Sequence, residues 1–119
     1  MQTNQAHSFV TLGEAMGLFV AKTPGNLADV EEFSRFLAGA EVNVAIGMAR
    51  LGFKSSYVSK VGKDCLGEYI RKAISKENIL TNSISETAEY PTGFMMKTSQ
   101  TDGSDPAVEY FRRNSAAST

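Results

Sequence analysis

Cysteine is almost absent from the 119-residue chain: Cys65 stands alone, so no disulfide can close within it. A single thiol suits a reducing compartment, and a cytoplasmic protein is expected. Tryptophan is missing altogether, and the only histidine, His7, sits in the polar start of the chain. Cys65 therefore has no plausible base beside it and is not expected to act as a nucleophile. No His, Cys, Asp or Glu cluster has the spacing of metal ligands. Charge of one sign is also lacking. Twelve Lys and Arg oppose thirteen Asp and Glu, a net charge of -1, which gives no field for nucleic acid or an anionic membrane. No apolar run approaches the roughly 20 residues that span a bilayer. Met1-Gln2-Thr3-Asn4-Gln5 has neither the basic nor the apolar part of a secretory signal. Neither Gly-x-x-x-x-Gly-Lys-Ser/Thr nor Gly-x-Gly-x-x-Gly occurs, so the two common phosphate-cradling loops are excluded.

What remains is an ordinary globular composition, 42% hydrophobic and 21% charged, enough for one small domain. Ser8 to Leu12 is a short apolar run ended by Gly13-Glu14, as in a buried strand. Leu18 to Ala21 reads as a second strand before the Pro24-Gly25 turn, and Phe33 to Leu37 as a third. Glu41 to Leu51 suits a helix closed by Gly52, apolar on nearly every side and therefore buried. Asn43, Gly47 and Arg50 share the face that is the exception, with Arg50 expected to be a structural or a surface residue. Ser55 to Val61 is a further strand. Asp64 is expected to cap a second helix, whose Leu66, Tyr69, Ile70, Ala73 and Ile74 form an amphipathic stripe and whose Glu68 and Lys72 pair on the wet side. Asn78 suits a left-handed terminator.

Thr92 to Ser99 and Val108 to Arg113 read as an antiparallel hairpin around the turn-rich residues 101–106. Alternation then places Val108, Tyr110 and Arg112 on one face and Glu109, Phe111 and Arg113 on the other. Strands alternating with helices predict an α/β fold with a largely parallel sheet and a small added β element. The first helix has more apolar surface than the other elements can cover. A chain that forms part of a larger fold is expected on that ground.

Ala38-Gly39-Ala40-Glu41-Val42-Asn43-Val44-Ala45-Ile46-Gly47, followed by Ala49-Arg50-Leu51-Gly52, resembles the N-terminal signature of ribokinase-type (PfkB family) sugar kinases. Val61-Gly62-Lys63-Asp64-Cys65-Leu66-Gly67 resembles the family's next element, Gly-x-Asp-x-x-Gly. Thr92-Gly93-Phe94, and Tyr110-Phe111-Arg112 through Ser115-Ala116-Ala117, are similar to the lid strands of the 2-keto-3-deoxygluconate kinase branch. The likeness runs from about Val10 to the end. It implies the N-terminal part of a ribokinase-like three-layer α/β sandwich, with β-lid strands near residues 17–37 and 92–113 and the nucleotide-binding and catalytic part absent.

By that resemblance Gly39, Ala40 and Asn43 would contact a sugar, and so would Glu14 after the first strand. Glu14 reads equally well as a solvated loop acid. Gly39 permits close backbone approach, and Asn43 offers both donor and acceptor. Tyr110 and Arg112 match the branch's substrate-binding tyrosine and arginine, a guanidinium being suited to the carboxylate of a sugar acid. Met95 falls where the branch has a further pocket tyrosine, and methionine cannot supply that hydroxyl. Asp64 is expected to be a cap rather than a ligand, and Arg113 to face solvent or a second subunit. The resemblance implies ATP and Mg²⁺, bound mainly outside this segment, with the catalytic aspartate there too, and a homodimer formed through the lid. The 119-residue chain alone is expected to be inactive. Fructokinase or another hexose kinase, or a non-catalytic chain that binds sugar or dimerises, are the alternatives.

Overall fold

The computed structural model describes residues 8–100, 103 and 105–118. His7 and half of the turn expected between the last two strands, residues 101, 102 and 104, lie outside them. Two sheets are present. The first consists of parallel strands β1 (Ser8–Leu12), β4 (Lys54–Gly62), β5 (Ile79–Leu80) and β6 (Ile84–Thr87). Strand β4 is central: β1 lies along one edge, paired Thr11 to Tyr57, while β5 and β6 follow one another along the other. The second sheet has the order β3-β2-β7-β8, from β2 (Met16–Pro24), β3 (Phe33–Ala38), β7 (Phe94–Ser99) and β8 (Val108–Phe111).

Helices α1 (Ala40–Arg50) and α2 (Cys65–Lys76) pack on one face of the first sheet. Alternation along β4 sends Tyr57 and Val61 to that face, where they meet Val42 and Ala45 of α1 and Ile70 and Ile74 of α2, all buried. Apart from the short turn Ala116–Ser118 against β4, the opposite face is open among the described residues. Val10 and Leu12 on β1 are 67% and 72% exposed there, so the described residues make two of the three expected layers. The same lack of partners leaves Val44 half exposed and Leu51 largely exposed; α1 is buried only along the Val42 and Ala45 stripe, not on every side. No helix among the described residues is long and apolar enough to cross a membrane.

Local signals resolve as the residue types predict. Gly52 and Asn78 both take positive φ, at 97° and 62°, where the two helices end. Glu68 and Lys72 pair at 3.1 Å. Arg50 is on the surface, bound through two nitrogens to Glu77. Strands β5 and β6 give no readable pattern, the first being two residues long and the second burying only Ile84. The seventh strand begins at Phe94 instead of Thr92. Thr92 is held outside the strand by a different set of bonds.

That set joins the Gly-x-Asp-x-x-Gly segment to the approach to β7. Asp64 caps α2 by accepting from the Gly67 amide at 2.7 Å, and also accepts from the Thr92 hydroxyl at 2.7 Å and the Thr92 amide at 3.0 Å. The Thr92 hydroxyl in turn accepts from the Gly62 amide at 2.8 Å. Partial burial, the largest single influence, pushes the Asp64 pKa up. The bonds from Thr92 and from the amides of Gly67, Thr92 and Leu66 together outweigh it and hold the carboxyl below its ordinary 3.8.

Asp64→Ala is therefore expected to cost about 1–2 kcal/mol in urea unfolding at pH 7. With the folded pKa depressed, that deficit should be full above the ordinary carboxylate pKa of 3.8 and shrink as pH falls below it through the folded value. A deficit that grows on acidification would contradict this network.

Candidate functional site

The chain passes between the two sheets four times, and the crossings meet in one place. Residues 13–15 leave β1 for β2, Gly39 joins β3 to α1, residues 91–93 lead into β7, and residues 112–115 leave β8. Gly39 has φ 136°, a conformation that side chains rarely adopt, and a Cβ on it would lie 2.7 Å from the Glu14 carbonyl oxygen. Only glycine fits there. Gly93 is crowded in a milder way, since a Cβ there would come 2.6 Å from the end of the Glu14 side chain, at Oε2. The Ala116 amide donates to the Pro91 carbonyl at 2.7 Å, and the short turn Ala116–Ser118 packs back on β4.

At this junction lies a cleft of about 720 Å³. Gly39, Ala40 and Asn43, from the start of α1, line one side of it. No side chain caps that helix, so its first-turn amides are left open beside the cleft. The second sheet forms the opposite wall. Its register sets Leu18 beside Met95 and Met95 beside Tyr110, three neighbours in one row across the strands, and all three line the cleft. On the sheet's other face Phe94 stacks on Phe111 at 4.8 Å and meets Phe19 edge-on at 5.7 Å, which fixes the strands that carry this row.

Arg112 completes the rim. It lies one residue past the end of β8, so it is not a strand residue as alternation predicts, yet it reaches the same cleft as Tyr110, with its guanidinium carbon 5.9 Å from the tyrosine ring centroid. Its Nε is 3.5 Å from Glu14 Oε1. The other Glu14 oxygen accepts from the Ser115 hydroxyl at 2.7 Å. Glu14 is thus neither a solvated loop acid nor a free cleft side chain. All seven residues expected at a site, Glu14, Gly39, Ala40, Asn43, Met95, Tyr110 and Arg112, surround one cavity. Asp64 stands apart as a helix cap, Cys65 is exposed at the start of α2, and Arg113 is exposed.

Three residues at the junction give little signal in sequence. Ser115 and Thr92 are short hydroxyl residues of the kind that usually sit on loops in water; here they are 1% and 6% exposed and bind carboxylates. Tyr57 is fully buried beneath the cleft, and its hydroxyl has no partner among the described residues. Burial first, and then the charges of Glu41 and Glu14, push that phenol well above its ordinary value, so it stays protonated. Among the described residues no three His, Cys, Asp or Glu side chains could hold a metal ion together.

The family model described as pfkB family carbohydrate kinase matches residues 6–119. The chain belongs to that family. It is 49% identical over 111 residues to 2-dehydro-3-deoxygluconokinase of Bacillus subtilis (strain 168), a match covering 92% of this chain and 34% of that protein. A probable chloroplastic fructokinase of Arabidopsis thaliana is 41% identical over 81 residues, covering 67% of this chain and 21% of that one. The crystal structure of a Pyrococcus horikoshii sugar kinase in complex with ATP superposes with a TM-score of 0.83 at 35% identity, over 92% of this chain and 35% of that one. The chain thus spans about a third, or less, of the length of these pfkB relatives. The fold expected from the sequence, ribokinase-like α/β with a small added β sheet, is the fold found.

Gly39 offers a direct check on the cleft's geometry. Gly39→Ala is expected to destabilise by about 1–3 kcal/mol, from backbone strain and the contact with Glu14. Gly47→Ala, on α1 where a Cβ meets open space, should instead stabilise by roughly 0.5–1 kcal/mol. Equal shifts in the two urea midpoints would refute the strained backbone at Gly39.

Proposed function

We propose that this chain supplies the sugar-side wall of a kinase that transfers the γ-phosphoryl group of ATP to a primary hydroxyl of 2-keto-3-deoxygluconate. The observation that carries this reading is Arg112, a guanidinium with no hydrogen bond to its terminal nitrogens among the described residues, and the one cationic side chain in the lining of the cleft. A sugar acid has a carboxylate that such a group binds with two parallel, charge-assisted bonds; a neutral hexose has none. Membership of the pfkB family and the 49% identity to a 2-dehydro-3-deoxygluconokinase support the same substrate.

In this reading Asn43 and the first-turn amides of α1 bind sugar hydroxyls, while Gly39 and Ala40 let the sugar lie against the backbone. Tyr110 binds or stacks on the acid end. Met95 and Leu18 cover the sugar carbons and exclude water. The sugar oxygen bonds to the γ-phosphorus as the bond to the β-phosphate oxygen breaks, ADP leaves, and the hydroxyl proton passes to a base that this chain does not supply. By the same proposal, ATP, Mg²⁺ and that base belong to a further part of the kinase, and the chain by itself is inactive. ATP as donor is supported by the ATP-bound relative. The second sheet would act as a lid and pair with its counterpart in a second copy. The outer strands β3 and β8, with exposed Phe36 on one and exposed Val108 and Phe111 on the other, support such a homodimer.

A second reading, fructokinase, is favoured by Met95, which lacks the hydroxyl of the branch's pocket tyrosine, and by the fructokinase relative. Steady-state kinetics of the complete kinase on the acid sugar and on fructose, with Arg112→Ala beside the wild type, separate the two. The acid sugar should be preferred, and Arg112→Ala should lower its kcat/KM by roughly 10- to 100-fold while sparing fructose. Preference for fructose, indifferent to Arg112, would establish the second reading instead.

A further inference from the structure

Glu14 is placed to act on Arg112 rather than on a ligand. Its side chain is 13% exposed, and both of its oxygens are engaged, one by the Ser115 hydroxyl at 2.7 Å and one beside Arg112 Nε at 3.5 Å. The carboxylate lies close against the backbone of Gly93, leaving no room for a Cβ there. Glu14 and Arg112 both line the main cleft and also the neighbouring cavity bounded by Lys60, Ser83 and Ser85, so the pair forms part of the wall between the two.

We infer that Glu14 is a positioning residue that fixes the Arg112 guanidinium by its Nε side and so presents the terminal nitrogens to the carboxylate of the sugar acid. The inference rests on the proposed reading of the cleft. Arg112 follows the end of β8, its side chain is 55% exposed, and among the described residues its guanidinium meets the Glu14 carboxylate and, at 5.9 Å, the Tyr110 ring. An arginine there would lose rotamer freedom on meeting its ligand, on the order of tenfold in affinity, unless something held it beforehand. Glu14 is held itself, by Ser115 and by the crossing at Gly93. Its negative charge also opposes an anionic substrate. Arg112 stands beside that carboxylate, and its positive charge neutralises Glu14 as seen from the ligand. Positioning therefore outweighs repulsion, and removing the charge should weaken binding of the acid.

The test is steady-state kinetics of the complete kinase on 2-keto-3-deoxygluconate with Glu14→Gln, Ser115→Ala and Arg112→Ala. Glu14→Gln should raise KM for the acid sugar about tenfold, with kcat changed far less and KM for ATP unmoved. Ser115→Ala, which loosens Glu14 without touching Arg112, should raise the same KM about threefold and carries the test if Glu14→Gln does not fold. General structural damage would move kcat and the KM for ATP as well. If Arg112→Ala raises the acid-sugar KM while Glu14→Gln and Ser115→Ala leave it unchanged or lower it, the positioning role is overturned and the reading of the cleft stands. If Arg112→Ala has no effect, the reading of the cleft itself fails.

Discussion

The carboxylate of Glu14 binds residues that lie about a hundred positions further along the chain, and both sheets are joined where it does so. Its backbone carbonyl leaves no space for a Cβ at Gly39, and its side chain leaves none at Gly93. Ser115 and Arg112 approach from the end of β8. Each of the four passages of the chain between the sheets thus touches one residue. A buried or half-buried carboxylate is costly unless paired and hydrogen-bonded, and this one has both a hydroxyl donor and a guanidinium. Hydrogen bonds from the Ser115 hydroxyl to Glu14 and from the Ala116 amide to the Pro91 carbonyl tie three of those segments together beside the cleft.

From that junction the division of labour in the cleft follows. The first sheet and α1 contribute chiefly backbone, a glycine in an unusual conformation and open amides, together with the side chains of Asn43 and Glu41. The second sheet contributes side chains set in a row by strand register, with an aromatic ladder on its far face to keep the strands in place. Short fixed polar groups suit hydroxyls, whereas a row of Leu18, Met95 and Tyr110 suits the carbon face of a sugar. The Asp64–Thr92 network steadies the third crossing from below, so it supports the cleft without lining it.

Much of this was legible in the sequence, and the parts that were not have physical reasons. Helix ends at Gly52 and Asn78 and the cap at Asp64 were readable because each rests on local chemistry within one turn. The cleft residues from Gly39 to Asn43 were readable because the motif that carries them is contiguous. Strands β5 and β6 were not, since a strand of two to four residues held by a neighbour's edge needs no apolar pattern of its own. Arg112 was placed on the right side for an incomplete reason. Alternation along a strand predicted its face, yet the strand ends at Phe111 and the contact with Glu14 helps set its place. The roles of Ser115, Thr92 and Gly93 depend on partners far away in sequence, and no local pattern announces such contacts. Exposure of Val10, Leu12 and Val44 likewise depends on which neighbours surround the strand and helix, and not on their own residues.

The central claim is that Arg112, held at the junction of the two sheets, receives the acid end of the substrate. A crystal structure of the complete kinase with 2-keto-3-deoxygluconate bound tests it most directly. The expected result places the sugar carboxylate about 2.7–2.9 Å from the terminal nitrogens of Arg112, with Glu14 still on the Nε side and Asn43 on a sugar hydroxyl. A sugar bound with its carboxylate directed elsewhere and Arg112 turned to solvent would contradict it.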